Sequence, residues 1–472
     1  MKARIISVVV VVLLATTLSG LSTPAQAAAY GSPFVTSITY QNVGDAPATV
    51  SLNFYAEASG TPIPITRPDL PAGAGTSLYV GGLSQITSGF LGSAVMSSSQ
   101  PVVATLVQIG SGTIKNRPLT SGFSGGASEV LIPTVLKDTF GYHSMFSIQN
   151  VDSVGADITL TFVPTSGTPI TSTISNLPAG AAKFIDMATL ADITSATFNG
   201  SVKIQAVKAG TSTPGTVVAS SMELQIAGDL AYAFEGAAQT GSTIYMPSAL
   251  CKFGPNADTN SAYAVQNTSS AAVDVSVTYS NGQVDGPYAL EAGAKRSFDG
   301  CGASNPTGFI GSAVINATGG EIVAVGKIYG GGLSTAFLGF PSGGAKVSLP
   351  YVRWTEAHWT DGTRQRAYIA IQNVGAGDLA AGAVTVKYYD KNGVLVGTHT
   401  LDAIPVGGKV NSNPMNIGAA GSEFGAYTDG SFGGAAIVEG PAGSQLAVVV
   451  RIQTYIGGGN SVGEDYQGVT ID

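Results

Sequence analysis

His143, His358 and His399 are the whole supply of imidazole in a chain of 472 residues. None stands in a His-x-x-x-His or His-Glu-x-x-His spacing that would put two ring nitrogens on one metal. No Gly-x-Ser-x-Gly elbow leads from a strand pattern into a helix pattern, and no phosphate loop is present. Acidic residues are scattered at turns, as with Asp390 and Asp429, and the pair Asp229 and Glu235 has no base or nucleophile beside it in the sequence. Catalysis needs converging groups with matched proton affinities. The residue types therefore predict a protein with no catalytic constellation, no metal site and no cofactor.

Two local features could still do chemistry. Arg353 to Arg366 holds both tryptophans of the chain, Trp354 and Trp359, together with His358 and three arginines. Exposed aromatics among polar neighbours stack on sugars or anchor a protein partner, which makes Trp354, His358 and Trp359 the candidate ligand-binding residues. The alternative is that the tryptophans seal the junction between neighbouring units, because matching loops carry Phe140, Tyr142 and Phe253. The only cysteines, Cys251 and Cys301, lie close enough in the chain to share a unit. In an exported protein such a pair is expected to form a disulfide.

The elements that position these residues repeat. Ile38-Thr39-Tyr40-Gln41-Asn42-Val43-Gly44 recurs as Phe146 to Val151, Tyr263 to Thr268 and Ile369 to Gly375, with the glutamines (41, 149, 266, 372) separated by 108, 117 and 106 residues. Each copy continues with a β-rich run and a hairpin turn such as Ser280-Asn281-Gly282 or Asp390-Lys391-Asn392-Gly393. A Gly turn follows, with Leu70-Pro71-Ala72-Gly73 matched at Leu177, Leu290 and Ile404. Next comes a small-residue strand (Phe90-Leu91-Gly92-Ser93-Ala94-Val95, repeated from Phe198 and Phe309 and, more loosely, from Phe432), and an apolar strand ends the copy. In period-2 alternation Ile369, Ile371 and Asn373 share a face. Asn42, Asn150, Asn267 and Asn373 are accordingly expected to point inward and to bond the backbone of the corner that follows.

Short strands spaced by turns, with no helical period, indicate two-sheet antiparallel sandwiches; a barrel or jelly roll is the alternative. The Ile-x-Ile-Gln-Asn-Val-Gly strand, the Leu-Pro strand ahead of it, the Leu-Pro-Ala-Gly turn and the Gly-Ser-Ala-Val strand resemble the tandem immunoglobulin-like repeats of secreted bacterial surface proteins. That resemblance implies an all-β chain of four tandem immunoglobulin-like antiparallel β-sandwich domains with an extracellular, noncatalytic role. The expected divisions are a signal peptide at 1–27, then repeats at 28–127, 128–241, 242–344 and 345–472.

The signal peptide is read from Lys2 and Arg4, the apolar run Ile5 to Leu14, and Ala25-Gln26-Ala27. That run falls short of the roughly 20 residues of a spanning helix. Its removal leaves 19 basic against 29 acidic side chains, a net charge of −10, which speaks against nucleic acid as a partner. Copies two to four carry an extra strand (Val130 to Leu136, Ile244 to Leu250, Val347 to Val352), and copy one has none. Whether that strand opens its own unit or closes the one before, one terminal unit is a strand short. An open edge invites strand addition from another copy or another surface protein. The expected function is a secreted, noncatalytic structural or adhesive protein of the cell surface, a semi-rigid spacer able to assemble into a filament or layer. The alternative is a carbohydrate- or protein-binding module whose Trp loop takes a cell-wall or extracellular glycan.

Overall fold

The computed structural model describes residues 34–110, 116–456 and 461–471. The expected signal peptide at 1–27 lies outside the described residues. The chain is all-β, with eight antiparallel sheets of three to five strands, none of them closed. Among the described residues no helix is long and apolar enough to cross a membrane.

The sheets fall into four pairs along the chain. The first pair is built from β1 (Phe34–Asn42), β2 (Val50–Ala56), β3 (Pro62–Thr66), β4 (Gly75–Tyr79), β5 (Gly92–Ser98), β6 (Val102–Gly110) and β7 (Leu119–Ser121), ordered β4-β1-β6-β7 and β3-β2-β5. The second uses β8 (Glu129–Lys137), β9 (Tyr142–Asn150), β10 (Ala156–Pro164), β11 (Ile170–Leu177), β12 (Ala182–Asp186), β13 (Phe198–Lys208), β14 (Val217–Gln225) and β15 (Ala231–Glu235), ordered β12-β9-β14-β15 and β11-β10-β13-β8. The third repeats this order with β16 (Thr243–Cys251), β17 (Asn260–Asn267), β18 (Val273–Tyr279), β19 (Val284–Leu290), β20 (Lys295–Asp299), β21 (Phe309–Thr318), β22 (Ile322–Gly330) and β23 (Leu333–Leu338). The fourth comprises β24 (Lys346–Leu349), β25 (Arg364–Asn373), β26 (Thr385–Asp390), β27 (Leu395–Thr400), β28 (Lys409–Ser412), β29 (Gly434–Glu439), β30 (Leu446–Tyr455), β31 (Ser461–Gln467) and β32 (Val469–Thr470).

Alternation builds each core. In β10, Ala156, Ile158, Leu160 and Phe162 are buried between the two sheets, while Asp157, Thr159 and Thr161 turn outward. The Leu-Pro strand opens its own unit: β8 pairs with β13, β16 with β21 and β24 with β29. It also reaches the other sheet, since Leu131 and Ala237 exchange two backbone hydrogen bonds of 2.8 Å. Pro133 and Pro247 fall in breaks of the ladder register, where a missing N–H costs no pairing. Among the described residues the first unit has no such strand, and β5 is the edge of its sheet.

The four units are packed side by side, and the fourth docks on the first. Ser93 Oγ donates to Gly180 O (2.8 Å), Ser201 Oγ to Gly293 O (3.1 Å) and Ser312 Oγ to Gly407 O (2.8 Å), so the Gly-Ser strand of each unit meets the Gly turn of the next. At the fourth contact, Ser348 Oγ donates to Gln41 Oε1 (2.9 Å) across 307 residues of chain. Here the recurring serine is Ala435, beside Gly75, and a Cβ on Gly433 would lie 2.3 Å from Gly75 O. The looser fourth copy of the motif thus belongs to the place where the ring closes, where backbones approach too near for a side chain. The closing strands β7, β15, β23 and β31 touch in cyclic order around the centre. The arrangement is a ring rather than a string of spaced beads.

Candidate functional site

The four recurring asparagines are buried and make the same three bonds. Asn150 Nδ2 donates to Val154 O (2.7 Å) and Leu177 O (2.8 Å), and its Oδ1 accepts from Asp152 N (2.9 Å). Asn42, Asn267 and Asn373 do the same with Ala46 and Leu70, Ala271 and Leu290, and Gly377 and Ile404. With both amide hydrogens donated to backbone and its oxygen accepting from backbone in a buried place, this side chain is committed to the corner. It pins the strand end to the Gly turn, whose Gly73, Gly180, Gly293 and Gly407 have φ between 71° and 77°, a backbone region glycine enters without strain. Cys251 and Cys301 form a disulfide within the third unit, tying the end of β16 to the segment after β20.

The structure divides the Trp segment. Trp354 is buried in the fourth unit's core, edge-on to Tyr368 at 5.8 Å, with its Nε1 donating to Glu356 Oε1 (3.1 Å) and the Arg366 guanidinium 4.7 Å over its ring. It is unavailable to a ligand, and its packing is internal to the fourth unit rather than a seal on the third. His358 and Trp359 are half-exposed and stand together, ring centroids 4.7 Å apart. Phe432, remote in sequence, stacks on Trp359 at 6.5 Å and 22°. The Arg353 guanidinium lies 4.5 Å from the centre of the Phe432 ring. The result is an aromatic patch of two flat rings and an imidazole, of a kind that can stack on a sugar or an apolar side chain.

The histidines do not converge. His143 lies in β9, His358 in the aromatic patch and His399 in β27. His399 Nδ1 is 2.8 Å from Ser412 Oγ, which in turn is 2.7 Å from Tyr388 OH. Ser412 is buried, so this serine–histidine contact cannot present a nucleophile, and burial lowers the proton affinity of His399. Gly459 to Gly463 has the letters of a nucleophile elbow, but Ser461 begins strand β31 instead of a helix and donates to Gly331 O (3.2 Å). Among the described residues no group of three acidic, histidine or cysteine side chains is placed to hold a metal.

Sequence reasoning missed the charges buried between units. Lys295 Nζ donates to Thr134 Oγ1 (3.0 Å) across the contact of second and third units, Thr134 Oγ1 donates to Glu223 Oε1 (3.1 Å), and Lys327 pairs with Glu223. Burial, aided by Lys327 and opposed by Glu223, pushes the Lys295 ammonium down to about 7. Between first and fourth units Arg117 Nε stands 3.1 Å from the buried Glu464 Oε1. Beside them a void of about 20 Å³ is lined by Arg117, Tyr351 and Arg353 among others. At the contact of first and second units the Ser121 N–H donates to Glu235, whose proton affinity is raised, foremost by burial. A visible signal existed: Glu223 and Lys327 are single charges inside otherwise uncharged strands.

No family model and no curated protein sequence matches the chain. Among solved structures, the Streptomyces avermitilis α-L-rhamnosidase complexed with L-rhamnose aligns at 7% identity over 86% of this chain and 54% of that one, with a TM-score of 0.12. The chain thus spans about half of that protein's length, and a likeness so low carries no statement of fold or activity.

Proposed function

We propose that the protein is a secreted, noncatalytic structural component of the extracellular surface, in which four sandwich units act as one closed ring. The observation that carries this reading is the docking of the fourth unit on the first, through Ser348 to Gln41 and the glycines around Gly433. Such closure places the repeated Gly-Ser strand and Gly turn in the contacts between units. The immunoglobulin-like affiliation is proposed for architecture only: paired antiparallel sheets support it, while the eight-strand order β12-β9-β14-β15 over β11-β10-β13-β8 differs from the seven-strand order of that fold. Fractionation of the native cells tests the proposal. Recovery outside the cell or on its wall is expected, together with no turnover across glycosidase, esterase and protease substrates; cytoplasmic recovery or a turnover lost with one point substitution would sink it.

A second reading, adhesion to a glycan, is favoured by the half-exposed stack of Trp359 and Phe432. A glycan array on wild type and Trp359→Ala separates the two, since binding that Trp359→Ala abolishes supports adhesion and an empty array leaves the structural role alone.

A further inference from the structure

Among the described residues the first unit has no opening strand, and both sides of the gap beside β5 differ accordingly. On β5 and β6 the core-facing Ala94, Met96, Val102, Ala104 and Leu106 are half-exposed. Their counterparts in the second unit, Val202, Ile204, Val217 and Ala219, are buried, because β8 covers them. Across the gap, Ser147, Gln149 and Ser220 on the second unit's β9 and β14 are half-exposed. Their counterparts in the third unit, Ala264, Gln266 and Val325, lie buried where β8 packs on β17 and β22. Phe123, which follows β7, stands where Ala237 exchanges two bonds with Leu131, and it is exposed, at 41%.

We infer that this groove takes an extended segment of another polypeptide by strand addition, between the edge of β5 and the backbone of Phe123. The groove continues the contact between first and second units at the place where the other three contacts are completed by a strand of the chain itself. Those strands define the occupant. It spans nine residues, as β8 and β16 do, with apolar side chains at the places of Val130, Ile132 and Val135 and a proline among them. The first three positions face Met96, Ala94 and Gly92, the equivalents of Ile204, Val202 and Gly200 that β8 meets. The alternate positions meet Ser147 and Ser220, whose hydroxyls are already bonded to each other at 2.9 Å and so lose nothing when covered. In the second unit the opening strand starts at Glu129 and the next strand at Tyr142. The same offset from Phe34 places the equivalent nine positions at 21–29, and the proposed signal-peptide removal, on which this inference rests, would take away all but the last two of them.

The test uses the full mature protein, its N-terminus fixed by intact mass, and a synthetic peptide of residues 129–137 as donor. Hydrogen exchange read by mass spectrometry should show the amides of 92–98 and 119–123 slowed about tenfold or more by the peptide, with a 1:1 complex in light scattering. The same peptide with Asp at the Ile132 and Val135 positions should protect nothing. No protection by the parent peptide at saturating concentration overturns the inference. Prior protection, in the protein alone, of those 92–98 amides that are not bonded to β2 also overturns it, with light scattering then assigning the occupant to the chain's own N-terminal residues in a monomer or to a second copy in a dimer.

Discussion

Ring closure can be locked by a bond that only the closed ring allows. An ideal Cβ on Gly75 lies 3.9 Å from Ala435 Cβ, with no other heavy atom nearer than 3.7 Å, and disulfides need Cβ atoms about 3.5 to 4.5 Å apart. The double variant Gly75→Cys, Ala435→Cys should therefore oxidise spontaneously while the native pair stays intact. Closing a loop of roughly 360 residues removes enough unfolded-state entropy to stabilise by up to about 5 to 6 kcal/mol in the chain-entropy account. Imperfect thiol geometry lowers that figure. Thiol titration under denaturing conditions, intact mass before and after alkylation, and thermal unfolding with and without reductant measure the outcome. Zero free thiols and a Tm that falls on reduction by more than the fall of the wild type are expected. Two titratable thiols after mild oxidation would refute the closed ring, since units hinged only by linkers keep these positions tens of ångströms apart on average.

Asn150→Ala removes three hydrogen bonds, the one to Leu177 O fully buried, and should cost about 2 to 4 kcal/mol, measured by denaturant unfolding. Trp354→Ala should cost about 3 to 5 kcal/mol, as for a buried aromatic, whereas Trp359→Ala should leave Tm nearly unchanged. The Lys295 ammonium is held down to about 7 in the folded protein, against about 10.4 when unfolded. Between those values the unfolded chain binds the extra proton, so stability should rise as pH increases from about 7 towards 10 and be lowest below 7. Comparing unfolding at pH 6 and pH 9 checks this, and Lys295→Met should reduce the difference; an unchanged difference would show that the amino group is not desolvated.

Much of the local structure was legible because it depends on neighbours in sequence. Period-2 runs such as Ile158, Leu160 and Phe162 can bury one face only as strands. An Asn at the last inward position of a strand, two residues before a glycine or small polar residue, carries its own corner with it. The cysteine pair is legible from its count and from both members falling in one copy. The Trp segment was legible only as an anomaly: its composition did not reveal that Trp354 turns inward while Trp359 stays at the surface, because that depends on Phe432, more than seventy positions later. Whether the Leu-Pro strand opens its own unit or closes the one before was not legible for the same kind of reason. That strand gains its place by pairing with β13 on one side and Ala237 on the other, and neither is its neighbour in the chain.

Alternation, turns and the recurrence of the Gln-Asn strand are readable in the chain alone, because all of them follow from hydrogen bonding and burial within a few tens of residues. It also held the Gly-Ser strand and the Gly turn as recurring motifs without showing that they meet. Only the tertiary structure decided that Ser93 reaches Gly180, that Ser348 reaches Gln41, and that Lys295, Glu223 and Glu464 are buried between units. Those contacts depend on how whole sandwiches are oriented, which is set by close packing at faces composed of residues from distant strands. A periodic pattern says which side of a strand is buried; it does not say what buries it.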